Sequence, residues 1–475
     1  MNLSGQITPV ITRHFIDCDH MTGRRRVHYR RCGKGPPLLM VHQSPRSSAE
    51  YEALMLIWGQ FFTCIAPDSP GFGHSDALPG TPEIDDFADA LVAFLDALSI
   101  SRCAAYGFHS GGIILVTAMK RHPERFTCLA IGGYAIWAPD EMATFGDAYL
   151  PPFVPSDYGE HLTWLWNRVL EQSWYFPWFD VRDEARLTVA HDDPARVHAT
   201  VMDMLDAGDA YRAGYGAVLR APRAVPSVDA ETPPVLITAY DGDPLQEHID
   251  RLGEMPVNWS AQKVGTPADH HAASLTFLKA HPAAIIGALP TAEDEGFAHI
   301  QTDLFDGLIH WRGSHKVSRM IVHAPGDEAS VGRNLAIDLP GHGLSSDWTG
   351  DAPVTIGPWR VLLGACMTHF GIKTIDGLGW SAALHDRAAP RPARDIADRL
   401  IPDLTPDRFG GHLTRAWSVV RAGRMFDPWF VADAAHAIPI DAMALTPVAL
   451  ARDTRALLRA RAGRALMTAL ATGED

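Results

Sequence analysis

The sequence predicts an α/β fold, a mostly parallel sheet with helices on both faces, laid down twice with the second copy incomplete. Two observations predict it. Apolar strand-like runs alternate with segments of helical periodicity, which is the signature of a parallel sheet. The chain also repeats itself: Pro155-Ser-Asp-Tyr-Gly-Glu-His-Leu-Thr-Trp-Leu-Trp166 is answered by Pro406-Asp-Arg-Phe-Gly-Gly-His-Leu-Thr-Arg-Ala-Trp417, and Pro177-Trp-Phe179 by Pro428-Trp-Phe430. Upstream, Asp68-Ser-Pro-Gly-Phe-Gly-His-Ser-Asp76 is matched by Asp338-Leu-Pro-Gly-His-Gly-Leu-Ser345, and Val27-His-Tyr-Arg30 by Ile309-His-Trp-Arg312. Collinear matches with modest indels read as a tandem duplication.

The elements follow in order. Arg13–Cys18 and Arg26–Cys32 carry β-branched and aromatic residues and read as strands; the apolar run Pro37–His42, after a Gly-Pro-rich turn, reads as a buried one. Ser47-Ser-Ala-Glu50 has capping-box spacing and opens a helix. Phe62–Pro67 is a strand, Ile84–Leu98 a helix, Arg102–Tyr106 a strand, Gly112–Arg121 a helix and Phe126–Gly132 a strand. From about Ala138 to Arg220 the pattern turns mainly helical, with Trp164, Trp166, Trp174 and Trp178 close together, and this insertion is a candidate lid. Alternation resumes with strand Val235–Ala239 and a helix over Ala272–Lys279.

The predicted domains are 1–290, with the lid at about 138–220; a polar linker at 291–297; and a truncated, degenerate repeat at 298–475. In the repeat, Val322-His-Ala-Pro reaches Asp338 too soon to leave room for the first helix, and no match to the last strands is found.

A net charge of −15 argues against partners that need a basic footprint, so nucleic acid and anionic membranes are not expected and a small molecule is. No apolar stretch is long enough to cross a bilayer, no signal peptide is visible, and six scattered cysteines fit reduced thiols, so a cytoplasmic protein is expected, with a homo-oligomer left open. No metal cluster, phosphate-cradling loop or dinucleotide fingerprint is present, and no cofactor is expected.

Val41-His-Gln-Ser-Pro45, Asp68-Ser-Pro-Gly-Phe-Gly-His-Ser-Asp76, Gly107-Phe-His-Ser-Gly-Gly112 and His122-Pro-Glu-Arg-Phe126 together resemble the α/β-hydrolase superfamily. The lid-containing branch of haloalkane dehalogenases, epoxide hydrolases and related esterases is the most similar. The resemblance covers roughly Arg13 to Ala280 and, more faintly, the second copy. It implies a nucleophile in the middle of Gly-x-Nuc-x-Gly, on a sharp strand-to-helix turn. Laid on Gly107-Phe-His-Ser-Gly111, the pattern places His109 there, not Ser110, and the spacing to His122-Pro-Glu-Arg125 agrees.

The resemblance further implies an acid at Asp243, with Asp241 as competitor, and a catalytic histidine at His270 or His271 in the following turn. It implies an oxyanion hole from the backbone amides of Ser110 and the Gln43-Ser44 pair, with a pocket bounded by His42, Ser44, His109 and the lid around Trp164 and Trp178. Arg46 could bind a substrate carboxylate, but pairing with a structural acid is the leading expectation, and Asp68 is expected to order neighbouring loops. In the second copy Gly379 stands where His109 does in the first.

An elbow histidine can act as a nucleophile or as a general base. The leading expectation is an atypical hydrolase of a small ester, lactone, amide or related acyl compound. The alternatives are a cofactor-free lyase or isomerase with His109 as base, and a catalytically silent binding or scaffold protein.

Overall fold

The computed structural model describes residues 9–20, 23–188, 190–314, 316–327 and 334–473; the first eight residues, where a signal peptide was sought, lie outside them. An eight-stranded sheet forms the larger half. Its strands are β1 (Ile11–His20), β2 (Gly23–Cys32), β3 (Pro37–Val41), β4 (Thr63–Pro67), β5 (Cys103–Phe108), β6 (Phe126–Gly132), β7 (Val235–Tyr240) and β8 (Trp259–Val264), in the order β1-β2-β4-β3-β5-β6-β7-β8. The β1–β2 and β2–β4 pairs are antiparallel and the rest parallel.

Side chains alternate across a strand, so a sheet covered on both faces needs apolar residues at every position. β3 meets that demand: all five residues are buried, Leu39 and Val41 in one core cluster, Leu38 and Met40 in the other. The first cluster takes in helices α2 (Ile84–Ala97) and α3 (Ser110–Arg121). The second takes in α1 (Glu52–Trp58) and α8 (Pro267–Ala280). The six cysteines are all buried and unpaired.

Between β6 and β7 the chain forms α4 (Pro139–Tyr149), α5 (Glu160–Gln172), α6 (Pro194–Ala207) and α7 (Ala210–Arg220). Contacts divide the molecule into one unit of Met1–Val154, Arg168–Asp192 and Ala199–Thr291, and another of Pro155–Asn167, Asp193–His198 and Ala292–Asp475. The division is therefore not the linear one expected near residue 290. Two stretches of the expected lid cluster with the second unit.

That unit holds a five-stranded sheet of β9 (Glu295–Gln301), β10 (Asp306–Gly313), β11 (Arg319–Val322), β12 (Leu335–Ile337) and β13 (Thr374–Gly377). Its order, β9-β10-β12-β11-β13, follows that of β1-β2-β4-β3-β5, with two antiparallel pairs and then two parallel ones. The remaining elements are α9 (Ile356–Phe370), α10 (Ala397–Leu400), α11 (Gly411–Gly423), α12 (Pro447–Leu458) and α13 (Gly463–Thr472). Among the described residues no helix connects β11 to β12, and no strand follows β13. Within this unit the shared Gly-x-His segments pack reciprocally. The Trp166 ring meets His412 edge-on at 5.2 Å and His161 meets Trp417 at 5.0 Å. Gly159 and Gly410, at φ of +84° and +69°, leave room for Trp417 and Trp166. Among the described residues no helix is long and apolar enough to cross a membrane.

Candidate active site

β5 ends at Phe108 and α3 begins at Ser110, so one residue turns the chain from strand to helix. That residue is His109, with φ 49° and ψ −113°. A side chain in this region strains the backbone by about 1–3 kcal/mol and persists only where its surroundings hold it. Here the His109 amide donates to the Gly132 carbonyl at 2.7 Å, and its carbonyl accepts from the Ile113 amide at 3.2 Å. The turn also needs small neighbours: a Cβ on Gly111 would lie 1.9 Å from the Val41 oxygen, and one on Gly107 2.8 Å from the Gly111 carbonyl carbon.

The His109 ring stacks on Phe108, centroids 4.1 Å apart and planes 17° from parallel. Its Nε2 lies 3.0 Å from Oδ1 of Asp243, in the turn after β7. The Asp243 side chain is fully buried, and Oδ1 also accepts the Leu245 amide at 2.8 Å. Burial alone would raise this carboxyl, but the neighbouring His109 ring and its hydrogen bond, with the Leu245 amide, pull it below the ordinary value. An ionised carboxylate only accepts, so Nε2 carries the proton and Nδ1 is the basic nitrogen. Nδ1 has no partner among the described residues, and a quarter of the side chain (24%) is exposed. The exposed Asp241 makes no such contact.

The two histidines expected as partners lie elsewhere. Thr266 caps α8 by accepting the Asp269 amide, with Pro267 in the first turn, so His270 and His271 are helical and not in a turn. Only Gly265 and Thr266 separate β8 from α8, too few to carry a histidine back over the strand ends. His270 is completely buried, Nε2 2.8 Å from the Tyr106 hydroxyl and Nδ1 2.5 Å from Thr238 Oγ1, and burial holds its pKa down near 4. His271 packs edge-on to Trp58. The expected relay from His109 through a second histidine to Asp243 is thus replaced by a direct contact.

The loop after β3 also departs from expectation. The Ser44 amide donates to Ser110 Oγ at 2.6 Å, so Ser110 occupies a donor expected to face an oxyanion. His42 is buried: Nε2 accepts the Ser69 amide at 2.9 Å and Nδ1 donates to the Gln43 carbonyl at 2.9 Å, which leaves no nitrogen for a ligand. The Gln43 amide and side chain donate to the buried Glu50 carboxylate, so of the expected donors the Ser110 amide is the one without a partner among the described residues. Arg46 bonds Asp203 at 2.9 Å. Asp68 gathers the Ser48 and His74 amides and His28, tying three segments together.

A half-open cleft of about 380 Å³ reaches Asp243, walled by Trp137, Phe145, Phe176 and His248. His42, Ser44, His109 and Trp178 are not among its lining residues. Trp164 belongs to the second unit, while Trp178 bonds the Tyr149 carbonyl at 3.3 Å. The sequence reading overlooked Gly133, which has φ +57° and covers the dyad; the Gly-Gly pair ending β6 was its visible signal. A Cβ there would sit 2.5 Å from His109 Cδ2, 2.7 Å from Nε2 and 2.9 Å from Asp243 Oδ2. Gly133→Ala is expected to part the His109 ring from Asp243 and lower turnover by roughly two orders of magnitude with the circular dichroism spectrum unchanged, as a misplaced catalytic group does.

Residues 36–173 match the family model for the alpha/beta hydrolase fold. Haloalkane dehalogenase 2 of Mycobacterium tuberculosis is 32% identical over 123 residues, 26% of this chain and 43% of that protein. A 2-(acetamidomethylene)succinate hydrolase of Mesorhizobium japonicum is 31% identical over 115 residues, 24% of this chain and 41% of its own. The match thus spans less than half the length of these curated relatives. Among solved structures, an esterase from Thermogutta terrifontis aligns with 57% of this chain and 99% of its own, at 18% identity and a TM-score of 0.42. The strand order, the strand-turn-helix at residue 109 and the family match define an α/β-hydrolase fold. The segment 36–173 thus belongs to the α/β-hydrolase superfamily.

Proposed function

We propose that this protein hydrolyses a small ester, lactone, amide or related acyl compound, with His109 as general base and Asp243 as the group that orients it. The observation that carries the reading is the 3.0 Å contact between His109 Nε2 and Asp243 Oδ1 at a strained elbow bearing no hydroxyl or thiol. Nδ1 takes a proton from a water molecule as that water attacks the acyl carbon. The resulting oxyanion is met by the Ser110 amide, a donor worth about 3–4 kcal/mol. The imidazolium, stabilised by the carboxylate, then returns the proton to the leaving oxygen or nitrogen, and acid and alcohol or amine depart. Hydrolases among the relatives support this reaction class.

The absence of an elbow hydroxyl equally suits proton abstraction from carbon, the lyase reading. Turnover in ¹⁸O-labelled water across a panel of acyl and carbonyl compounds separates the two. Label in the carboxylate product is expected; turnover without label would establish the lyase, and no turnover on any compound would leave a binding protein.

We further infer that the second unit is a degenerate copy of the first. Its strand order and directions support this, as does Gly379, which follows β13 at φ +54° where His109 follows β5 at +49°. A glycine has no group to transfer a proton.

A further inference from the structure

We propose that Arg168 is the anchor of an anion subsite in the first unit, one that takes the carboxylate of a ligand with a flat apolar body. The guanidinium is 2% exposed, on α5. Nη1 donates to Gln172 Oε1 at 2.8 Å and touches Met204 Sδ at 3.5 Å, whereas Nε and Nη2 are buried without an acceptor. Among the described residues no carboxylate lies within ion-pair distance. The surroundings are aromatic: Cζ lies 5.2 Å from the Trp178 ring and 5.8 Å from that of Tyr211, with the phenols of Tyr149 and Tyr215 close by. Ring faces attract a cation but accept no hydrogen bond in the guanidinium plane. Nε and Nη2 form the side-on fork of that plane, the edge that fits the two oxygens of a carboxylate.

Folding does not demand the charge. α11 has the length of α5 and shares its Gly-x-His start and its tryptophan, and Trp429 bonds the Leu400 carbonyl as Trp178 bonds that of Tyr149. At the position of Arg168, α11 carries the buried Val419, and at that of Tyr149 the chain carries Leu400. Apolar residues satisfy the same local structure, so the guanidinium and phenol are additions to the unit that holds the dyad. The aromatic wall connects the two places. Tyr149 packs 4.9 Å from Phe145 and 6.2 Å from Phe176, both of which line the cleft that reaches Asp243. A ligand whose carboxylate sits at Arg168 would lay its apolar body along this wall.

The proposal rests on the hydrolase reading for its meaning, but its test needs no turnover. Acetate, phenylacetate and 4-phenylbutyrate are titrated into the full-length protein and followed by tryptophan fluorescence, with phenylacetamide as the neutral isostere of phenylacetate. Saturable binding of an aryl carboxylate, at least tenfold tighter than the amide, is expected, and His109→Ala protein should bind equally well. Arg168→Met should abolish the preference and raise the melting temperature, because it removes a buried charge; Arg168→Lys should retain part of the preference. Equal binding of acid and amide, no saturable binding of any of the three carboxylates, or an undiminished preference in Arg168→Met would overturn the assignment. So would a lower melting temperature of Arg168→Met with carboxylate binding intact, which would make the arginine structural.

Discussion

Replacing His109 by alanine is expected to slow turnover by about two to four orders of magnitude, the range for loss of a positioned proton-transfer group. The size follows from its solitude: at the elbow no other side chain offers a basic atom, since Phe108 is apolar and Ser110 Oγ is committed to the Ser44 amide. Asp243→Asn should fall in the same range for a different reason. An amide can donate to Nε2 where the carboxylate could only accept, which moves the proton to Nδ1 and removes the free lone pair. Ser110→Ala should behave otherwise. It leaves the half-buried Ser44 amide without its acceptor and should cost roughly 1 kcal/mol of stability, with kcat within about tenfold of the parent because no proton passes through the hydroxyl. Steady-state kinetics and thermal melts of the three variants decide the matter. An inactive Ser110→Ala enzyme beside a nearly normal His109→Ala enzyme would restore an ordinary serine hydrolase.

The sequence exposed those parts of the fold that are buried on both faces. β3, β6 and β7 are short apolar runs with turn residues on each side, and the structure places them within a residue of expectation. β8 escaped because it is the edge strand: Trp259-Ser-Ala-Gln-Lys-Val264 is largely polar, with only Trp259 buried, so neither apolar content nor alternation marks it. This edge strand also decides where the two histidines implied by the resemblance lie. Without β8, the stretch before Ala272 reads as a loop long enough to bring His270 or His271 over the sheet; with β8 ending at Val264 and Thr266 capping α8, both are fixed on a helix. The choice between Asp241 and Asp243 is likewise one of burial, which spacing does not encode. The same holds for Ser44 and His42. Their neighbourhood near the elbow was legible, but the commitment of their polar atoms to Ser110, Ser69 and Gln43 depends on tertiary contacts.

Stability should collapse between about pH 6 and pH 4.5, and the cause is a set of buried histidines. His28, His248 and His270 in the first unit, and His161, His342 and His412 in the second, are each no more than 8% exposed, and burial holds the pKa of each near 4. The folded state binds their protons more weakly than the unfolded chain, whose histidines titrate near 6.5. Stability is therefore complete above the unfolded value and drains away as pH falls through 6.5 towards 4. Each histidine gives up to about 3 kcal/mol over that interval, so three per unit approach the whole stability of about 5–15 kcal/mol of a typical domain. Carboxylates held below their ordinary values, such as Asp68, Asp243 and Asp338, act in the same direction only at lower pH. His310 has the opposite sign. Burial opposes its charge, but hydrogen bonds to Asp338 and Glu295 raise its pKa, so its contribution is present at low pH and lost as pH rises through the raised value. One histidine of that kind does not offset six. Urea unfolding at half-unit steps from pH 8 to 4.5 should show stability falling with a slope of several protons per molecule below pH 6, and His412→Gln should reduce that slope by about one proton, or about 1.4 kcal/mol per pH unit. A flat profile down to pH 4.5 would mean that these histidines are charged in the folded protein.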